Sequence, residues 1–279
     1  MTPPKLLVQL SDTHVRHPGE LAYGRVDTAG FLARAVQAVL RLAPPAHAVI
    51  VSGDLVDDGL AAEYAHLAEL LAPLACPIYL MPGNHDHRDA LRRAFPTHAY
   101  LQPAAGGPYI QYAVDLGGLR LVTLDTVVPG AGHGELCAAR LAWLDTTLGT
   151  DPGTPTIVAM HHPPFPTYID HMDQIGLLRG AGDLARVIER HPQVQRIICG
   201  HLHRSIQVRW AGTLVMTVPS TAHQVFLDLR PGGAAAFAME PPGFAVHAWT
   251  PTGPVVSHIA CTDAGAGPYS FDDEAGPTG

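Results

Sequence analysis

Side chains that bind metal ions recur just after apolar runs at separated points of the chain: Asp12 with His14, Asp54, Asn84 with His85 and Asp86, His161 with His162, and His201 with His203. Asp125 stands in a similar place, at the end of an apolar run. In extended chain, residues i and i+2 point the same way, so Asp12 with His14, and His201 with His203, can each aim two side chains at one point. Gly53, Gly83 and Gly200 precede Asp54, Asn84 and His201, where glycine permits a sharp turn or a close backbone approach. Imidazole and carboxylate without thiolate suit Mn, Fe, Co or Zn and argue against a closed structural zinc site. Hydrolysis at two metal ions is the chemistry this layout describes, since a folded core rarely needs so many polar groups at strand ends.

Buried strands must deliver those positions. Apolar, β-branched runs at residues 5–10, 48–52, 78–81, 119–124, 156–160 and 194–199 are mostly followed by glycine, proline or a polar ligand type, and read as such strands. Helical patterns lie between them. The clearest covers residues 28–42, where Phe31, Leu32, Ala35, Val36, Val39 and Leu40 form one stripe behind an Asp27 or Thr28 cap. Others span residues 60–71, 88–95, 138–148 and 182–190. Asp86 reads as the N-cap of the third, with Asp89 three residues on. The alternation predicts an α/β layered fold with largely parallel pairing, its ligands meeting beyond the carboxyl ends of the strands. After His203 the segments 206–210, 214–218, 225–229, 244–250 and 255–260 follow one another without helices, which predicts an antiparallel C-terminal portion. Residues 231–243 read as a long loop and 264–279 as a frayed tail.

The 279 residues, 47% of them hydrophobic, suffice for one large domain or one domain with an appendage. A formal charge of −8 with 17 Lys plus Arg leaves no basic stripe for a polynucleotide backbone. Seventeen histidines point instead to metal or proton chemistry. Cys76, Cys137, Cys199 and Cys261 are widely spaced with no C-x-x-C pair, and read as buried thiols while leaving a disulfide open. The apolar stretch near the N-terminus is too short for a signal peptide and none reaches membrane-spanning length, so a cytoplasmic protein without membrane contact is expected.

Taken in order, D-x-H at Asp12, G-D at Asp54, G-N-H-D at Asn84, the strand-end His161 and G-H-x-H at His201 resemble the signature of the dinuclear metallophosphoesterases. The chain looks most like the bacterial class III cyclic nucleotide phosphodiesterases and their relatives that hydrolyse glycerophosphodiesters. This match runs from Ser11 to His203 and continues into T-V-P-S-T-A-H-Q at residues 217–224. The resemblance implies a four-layer α-β-β-α sandwich, the calcineurin-like metallophosphoesterase fold, with an antiparallel β C-terminal portion. It divides the chain into a catalytic domain over residues 1–225 and a β extension over 226–279, packed on it, frayed from about 264 and able to join subunits of a homo-oligomer.

The same resemblance implies two divalent metal ions per chain, one held by Asp12, His14 and His203 and the other by Asn84, His161 and His201, with Asp54 bridging. Such a shell sums to about +2, or about +1 with a bridging hydroxide, matched to a singly charged diester. Implied too is in-line attack by a metal-bound hydroxide on a small phosphodiester, either a cyclic nucleotide such as cAMP or a glycerophosphodiester. Asn84 and Asp54 belong to that catalytic set, and His85 is placed to protonate or hydrogen-bond the leaving oxygen. His161 and His162 face opposite ways if their strand continues, so one of them binds directly. His162, His223 and Asp86 are candidates for supporting ligands or touching substrate. The remaining histidines, His17, His87, His171 and His191 among them, read as surface residues.

Competing members of the superfamily fit less well. Purple acid phosphatases carry a tyrosine shortly after the bridging aspartate, whereas Leu55, Val56 and Asp57 follow here. Protein Ser/Thr phosphatases have arginine and glutamate where this chain has Asp58 and Asp86. The repair nucleases share G-N-H-D but need a basic groove. A phosphomonoester or phosphonate ester hydrolase and a non-catalytic scaffold on the same fold are the alternatives. A histidine-rich metal buffer would cluster its histidines rather than spread them across strand ends.

Overall fold

The computed structural model describes residues 3–103, 107–251, 253–263, 265 and 267–271. Strand and helix alternate first, as β1 (Lys5–Leu10), α1 (Thr28–Leu40), β2 (Ala48–Ser52), α2 (Ala61–Leu71), β3 (Ile78–Met81) and α3 (Arg88–Ala94), then a 3-10 turn at Ala99–Leu101. Next come β4 (Tyr112–Asp115), β5 (Arg120–Leu124), β6 (Gly134–Glu135), α4 (Ala138–Gly149), β7 (Thr156–Met160), α5 (Asp170–Asp173), β8 (Leu177–Arg179), α6 (Ala181–Glu189) and β9 (Val194–Cys199). Strands alone complete the described chain: β10 (Gln207–Trp210), β11 (Thr213–Thr217), β12 (Gln224–Val225), β13 (Phe237–Ala238), β14 (Gly243–Trp249) and β15 (Val256–Cys261).

One sheet has the order β15-β14-β1-β2-β3 and the other β10-β11-β9-β7-β5-β4. Pairing is parallel among β1, β2 and β3 and among β5, β7, β9 and β11, and antiparallel where β14, β15, β10 and β4 join. Period-two alternation then sorts side chains into three cores. Leu6, Val8, Leu10, Val49 and Val51 face the helices α1 to α3, whereas Leu7, Ala48 and Ile50 face the second sheet. Val122, Leu124, Val158, Met160, Ile197 and Cys199 pack under α4 and α6, whereas Leu121, Ile157, Ala159 and Ile198 face the first sheet. Helices, sheet, sheet and helices therefore stack as the four expected layers. Phe244 and Val246 of β14 enter the same core as Leu6 and Val8, so this C-terminal strand is part of the first sheet.

The α1 stripe buries Leu32, Ala35, Val36 and Val39, and Asp27 caps the helix by accepting from Gly30 N at 2.9 Å. Leu40, predicted on that stripe, is the last residue of the helix and is exposed. The strand predicted at 225–229 shrinks to β12, since Phe226, Leu227 and Leu229 are exposed and Asp228 turns back onto Arg230. The loop predicted over 231–243 contains β13, which pairs with β12. Cys199 is buried as predicted, but Cys76 and Cys137 are half-buried and Cys261 is exposed on an edge strand; all four are free. The tail anticipated from residue 264 lies largely outside the described residues. No helix among the described residues is long and apolar enough to cross a membrane.

Candidate metal centre

Beyond their last residues, β1 and β2 continue side by side as loops: Asp12 N donates to Gly53 O at 3.1 Å and His14 N to Asp54 O at 3.0 Å. Asp12, His14, Asp54, His201 and His203 all have positive φ, at 52°, 42°, 48°, 70° and 48°. Each such non-glycine residue costs about 1–2 kcal/mol, so five together mark a place where the surrounding fold holds strain. Glycine is required beside them. A Cβ at Gly53, whose φ is 95°, would collide with the His161 ring, and one at Gly83 would collide with Asp54 Oδ1.

The loops bring donors from both sheets to one cleft. Asp12, His14, Asp54 and Asn84 follow β1, β2 and β3 of the first sheet; His161, His201 and His203 follow β7 and β9 of the second. His14 Nδ1 lies 3.1 Å from Asp57 Oδ1 and His203 Nδ1 lies 3.0 Å from the His223 carbonyl oxygen. Both rings thus carry their proton on Nδ1, and their Nε2 lone pairs face each other at 3.2 Å. His161 repeats the pattern: Nδ1 donates to Ser52 O at 2.9 Å, while Nε2 faces Asn84 Oδ1 at 3.2 Å and Asp54 Oδ2 at 3.3 Å. His201 Nδ1 is 3.1 Å from the same Asn84 oxygen. Converging lone pairs of this kind repel unless a cation or a proton sits among them.

Each carboxylate has one oxygen committed to the backbone. Asp12 Oδ1 accepts from His201 N at 2.9 Å and Asp54 Oδ1 from His85 N at 2.9 Å. Among the described residues, Asp12 Oδ2 is buried without a hydrogen-bond partner, as is His201 Nε2. Groups of buried His and Asp donors, Asp12 with His14 and His203 and Asp12 with Asp54 and His161, have ligand atoms close enough for a common ion. The set fits divalent metal.

Charges inside the cleft follow the same logic. Burial opposes ionisation of Asp54, but the neighbouring His161 and His85 rings overcome it and hold the carboxyl well below its usual range. Burial opposes protonation of His161 too, yet the Asp54 carboxylate draws its pKa up to about 9. A proton on this ring occupies the role a cation would take. Burial keeps His201 and His203 neutral, with pKa values pushed down to about 3.

The supporting residues depart from expectation in several places. His162 does not point away from His161, because β7 ends at Met160; the two rings lie 4.9 Å apart, and His162 also packs 4.6 Å from His201. Its nitrogens meet Thr126 Oγ1 at 2.7 Å and Gly132 O at 3.2 Å. Asp86 does not cap α3, whose N-cap is His87. It is buried, accepting from Leu55 N, Gly83 N and the Tyr64 hydroxyl at 3.1, 2.8 and 2.9 Å, and so ties down the segments carrying Asp54 and Asn84. His223 packs 4.7 Å from the His203 ring and lines the cleft. Asp125 lies apart, in a bidentate pair with Arg88. Of the histidines predicted at the surface, His247 is buried between Ser257 and Gln9, and His171 is half-buried where it lines the cleft.

His85 Nδ1 donates to Asp57 O at 2.7 Å, which leaves Nε2 of this half-exposed ring at the cleft. Asp57 was not singled out from the sequence, although it orients His14 and is itself held by Arg16. Its spacing of three from Asp54 was the available signal. Tyr23 and Phe237, which wall the cleft, had none.

The chain as a whole is similar in sequence or fold to several known proteins. The chain is 34% identical over 271 residues to a probable glycerophosphodiester phosphodiesterase of Arcobacter nitrofigilis, covering 97% of this chain and 98% of that one. It is 37% identical over 241 residues to a probable cyclic nucleotide phosphodiesterase of Rhodopseudomonas palustris, covering 85% and 86%. A dimetal phosphatase from Danio rerio shares the fold with a TM-score of 0.63 at 15% identity, over 94% of this chain and all of that one. The family model for calcineurin-like phosphoesterases matches residues 6–205, and the chain belongs to that family.

Proposed function

We propose that this protein is a metal-dependent phosphodiesterase acting on small diesters, cyclic nucleotides or glycerophosphodiesters. The observation that carries the reading is the facing pair of Nε2 lone pairs on His14 and His203, 3.2 Å apart and beside Asp54, in a member of a phosphoesterase family whose relatives bear phosphodiesterase names. Asp12, His14 and His203 would hold one divalent ion, and Asn84, His161 and His201 a second, with Asp54 reaching both. When bound, the ions supply positive charge at the phosphoryl oxygens and make water nucleophilic near neutral pH.

The chain's own groups do the rest. With its Oδ1 turned toward His161 and His201, Asn84 has its amide N–H groups available to a phosphoryl oxygen. His85, its Nδ1 proton committed to Asp57 O, presents Nε2 to the leaving oxygen and, when the ring carries a second proton as imidazolium, can deliver it there. His162 and Asp86 position the ligand segments, and His223 borders the substrate. Nitrogen and oxygen donors without thiolate support Mn, Fe, Co or Zn. Exposed Val256 and Ile259 on the edge strand β15 support pairing between subunits.

Metal analysis combined with initial rates on a nitrophenyl diester and monoester tests the proposal. Two ions per chain and preference for the diester are expected. A fully loaded protein that leaves the diester intact would refute it.

A further inference from the structure

The cleft above the donor set holds about 280 Å³, and its outer wall differs in kind from its floor. No Lys or Arg lines it among the described residues, so nothing there would hold a second phosphate. Met172, Ile175 and Val225 offer no side-chain hydrogen bonds to the hydroxyls of a polyol. What the wall does offer is aromatic. Tyr23 and Phe237 stack with ring centroids 4.9 Å apart and planes 29° from parallel. His223 meets Tyr23 edge-on at 5.4 Å and Phe237 at 5.2 Å, and itself packs 4.7 Å from His203. A run of rings thus leads from the proposed ligands to the mouth.

Tyr23 is held there at a cost. Its φ is 51°, a left-handed conformation that a bulky side chain rarely adopts, and its ring is 57% exposed. Ala22 and Val26 fix the turn by exchanging two backbone hydrogen bonds of 2.9 Å, and both are buried against Ala222 with Phe237 packed on the cluster. Backbone strain that keeps a large aromatic ring in water beside a cleft points to use of that ring.

We propose that Tyr23 and Phe237 are specificity-determining residues, forming a platform for a flat aromatic ring carried by the diester. The inference rests on the phosphodiesterase reading above. A nucleobase or aryl group stacks on this platform while the phosphodiester lies on the metal side of His223; stacking is tolerant of ring identity because every base has a π-face. Diesters bearing only polyol or small alkyl groups gain nothing from it.

The test uses metal-loaded enzyme, with Tyr23→Leu and Phe237→Leu variants that keep apolar bulk but remove the π-face. Steady-state constants are measured on a cyclic nucleoside monophosphate and on glycerophosphoethanolamine. The wild type is expected to favour the nucleotide, and each substitution to lower the nucleotide-to-glycerol ratio of kcat/KM by about tenfold, mostly through KM. Two metal ions per chain in each variant shows that the fold is kept. An unchanged ratio in both variants, with diesters still hydrolysed, overturns the platform alone. Failure of the loaded wild type on every diester overturns the phosphodiesterase reading, and the platform with it.

Discussion

Asp57 Oδ1 stands 3.1 Å from Nδ1 of His14. Burial opposes ionisation of this carboxyl, but the His14 and Arg16 contacts hold its pKa down to about 2, so it stays an acceptor and leaves His14 Nε2 free to bind. Asp57→Ala is expected to weaken the first ion by about 10–100-fold, the usual cost of losing such a partner. Metal titration of the purified variant checks this; an unaltered binding curve would show that His14 needs no orientation.

Asp54 lies between the two donor groups, 3.3 Å from His161 Nε2 and 3.6 Å from His14 Nε2. Asp54→Ala should therefore abolish turnover and lower occupancy of both ions. Retention of two ions per chain in elemental analysis would be incompatible with a bridging role.

For His85→Ala, the expectation is a leaving-group effect. Poor leaving groups need the proton that Nε2 delivers and good ones do not, so the rate loss should grow as the leaving alcohol becomes less acidic. A series of aryl and alkyl diesters reads this directly, and a uniform loss across it would reassign His85 to binding.

Acid should destabilise the fold through His247. Burial, with Arg196 nearby, lowers its pKa from 6.5 to about 3. The folded ring stays neutral while the unfolded one takes a proton, so stability is lost as pH falls from about 6.5 toward 3 and is fully present above that window. His247→Gln keeps a polar group against Gln9 and Ser257, and should make that acid limb shallower by up to about 1.4 kcal/mol per pH unit. Denaturant midpoints at several pH values measure it, and parallel limbs for the two proteins would exclude the contribution.

Much of this molecule was legible because its buried strands are apolar on both faces and stop where ligands begin. β1, β2, β3, β7 and β9 were expected over the residues they occupy. The pieces missed are those made by tertiary contact. β4 is an edge strand of four residues with an exposed end, and β6, β8 and β13 are ladders of two or three residues that exist only because distant segments meet. Asp86 misled for a related reason: a carboxylate just before a helix fits a cap, and only the folded chain brings Leu55 N and Tyr64 to it. The motif residues themselves converge as anticipated. The wall of the cleft did not announce itself, because Tyr23 and Phe237 are far apart in the chain and neither lies in a periodic pattern.

The donors come from loops of two different sheets, and that has a mechanical consequence. An ion gripped by His14 on one side and His203 on the other would rivet the two halves of the sandwich, which also meet through the apolar side chains of the middle core and through hydrogen bonds such as Gln9 Nε2 to Cys199 O and the Tyr112 hydroxyl to Leu80 O. Chelation should let the halves shear, so amide exchange would quicken first at the open ends of β1, β2, β7 and β9, while α1 and α4 on the outside keep their protection.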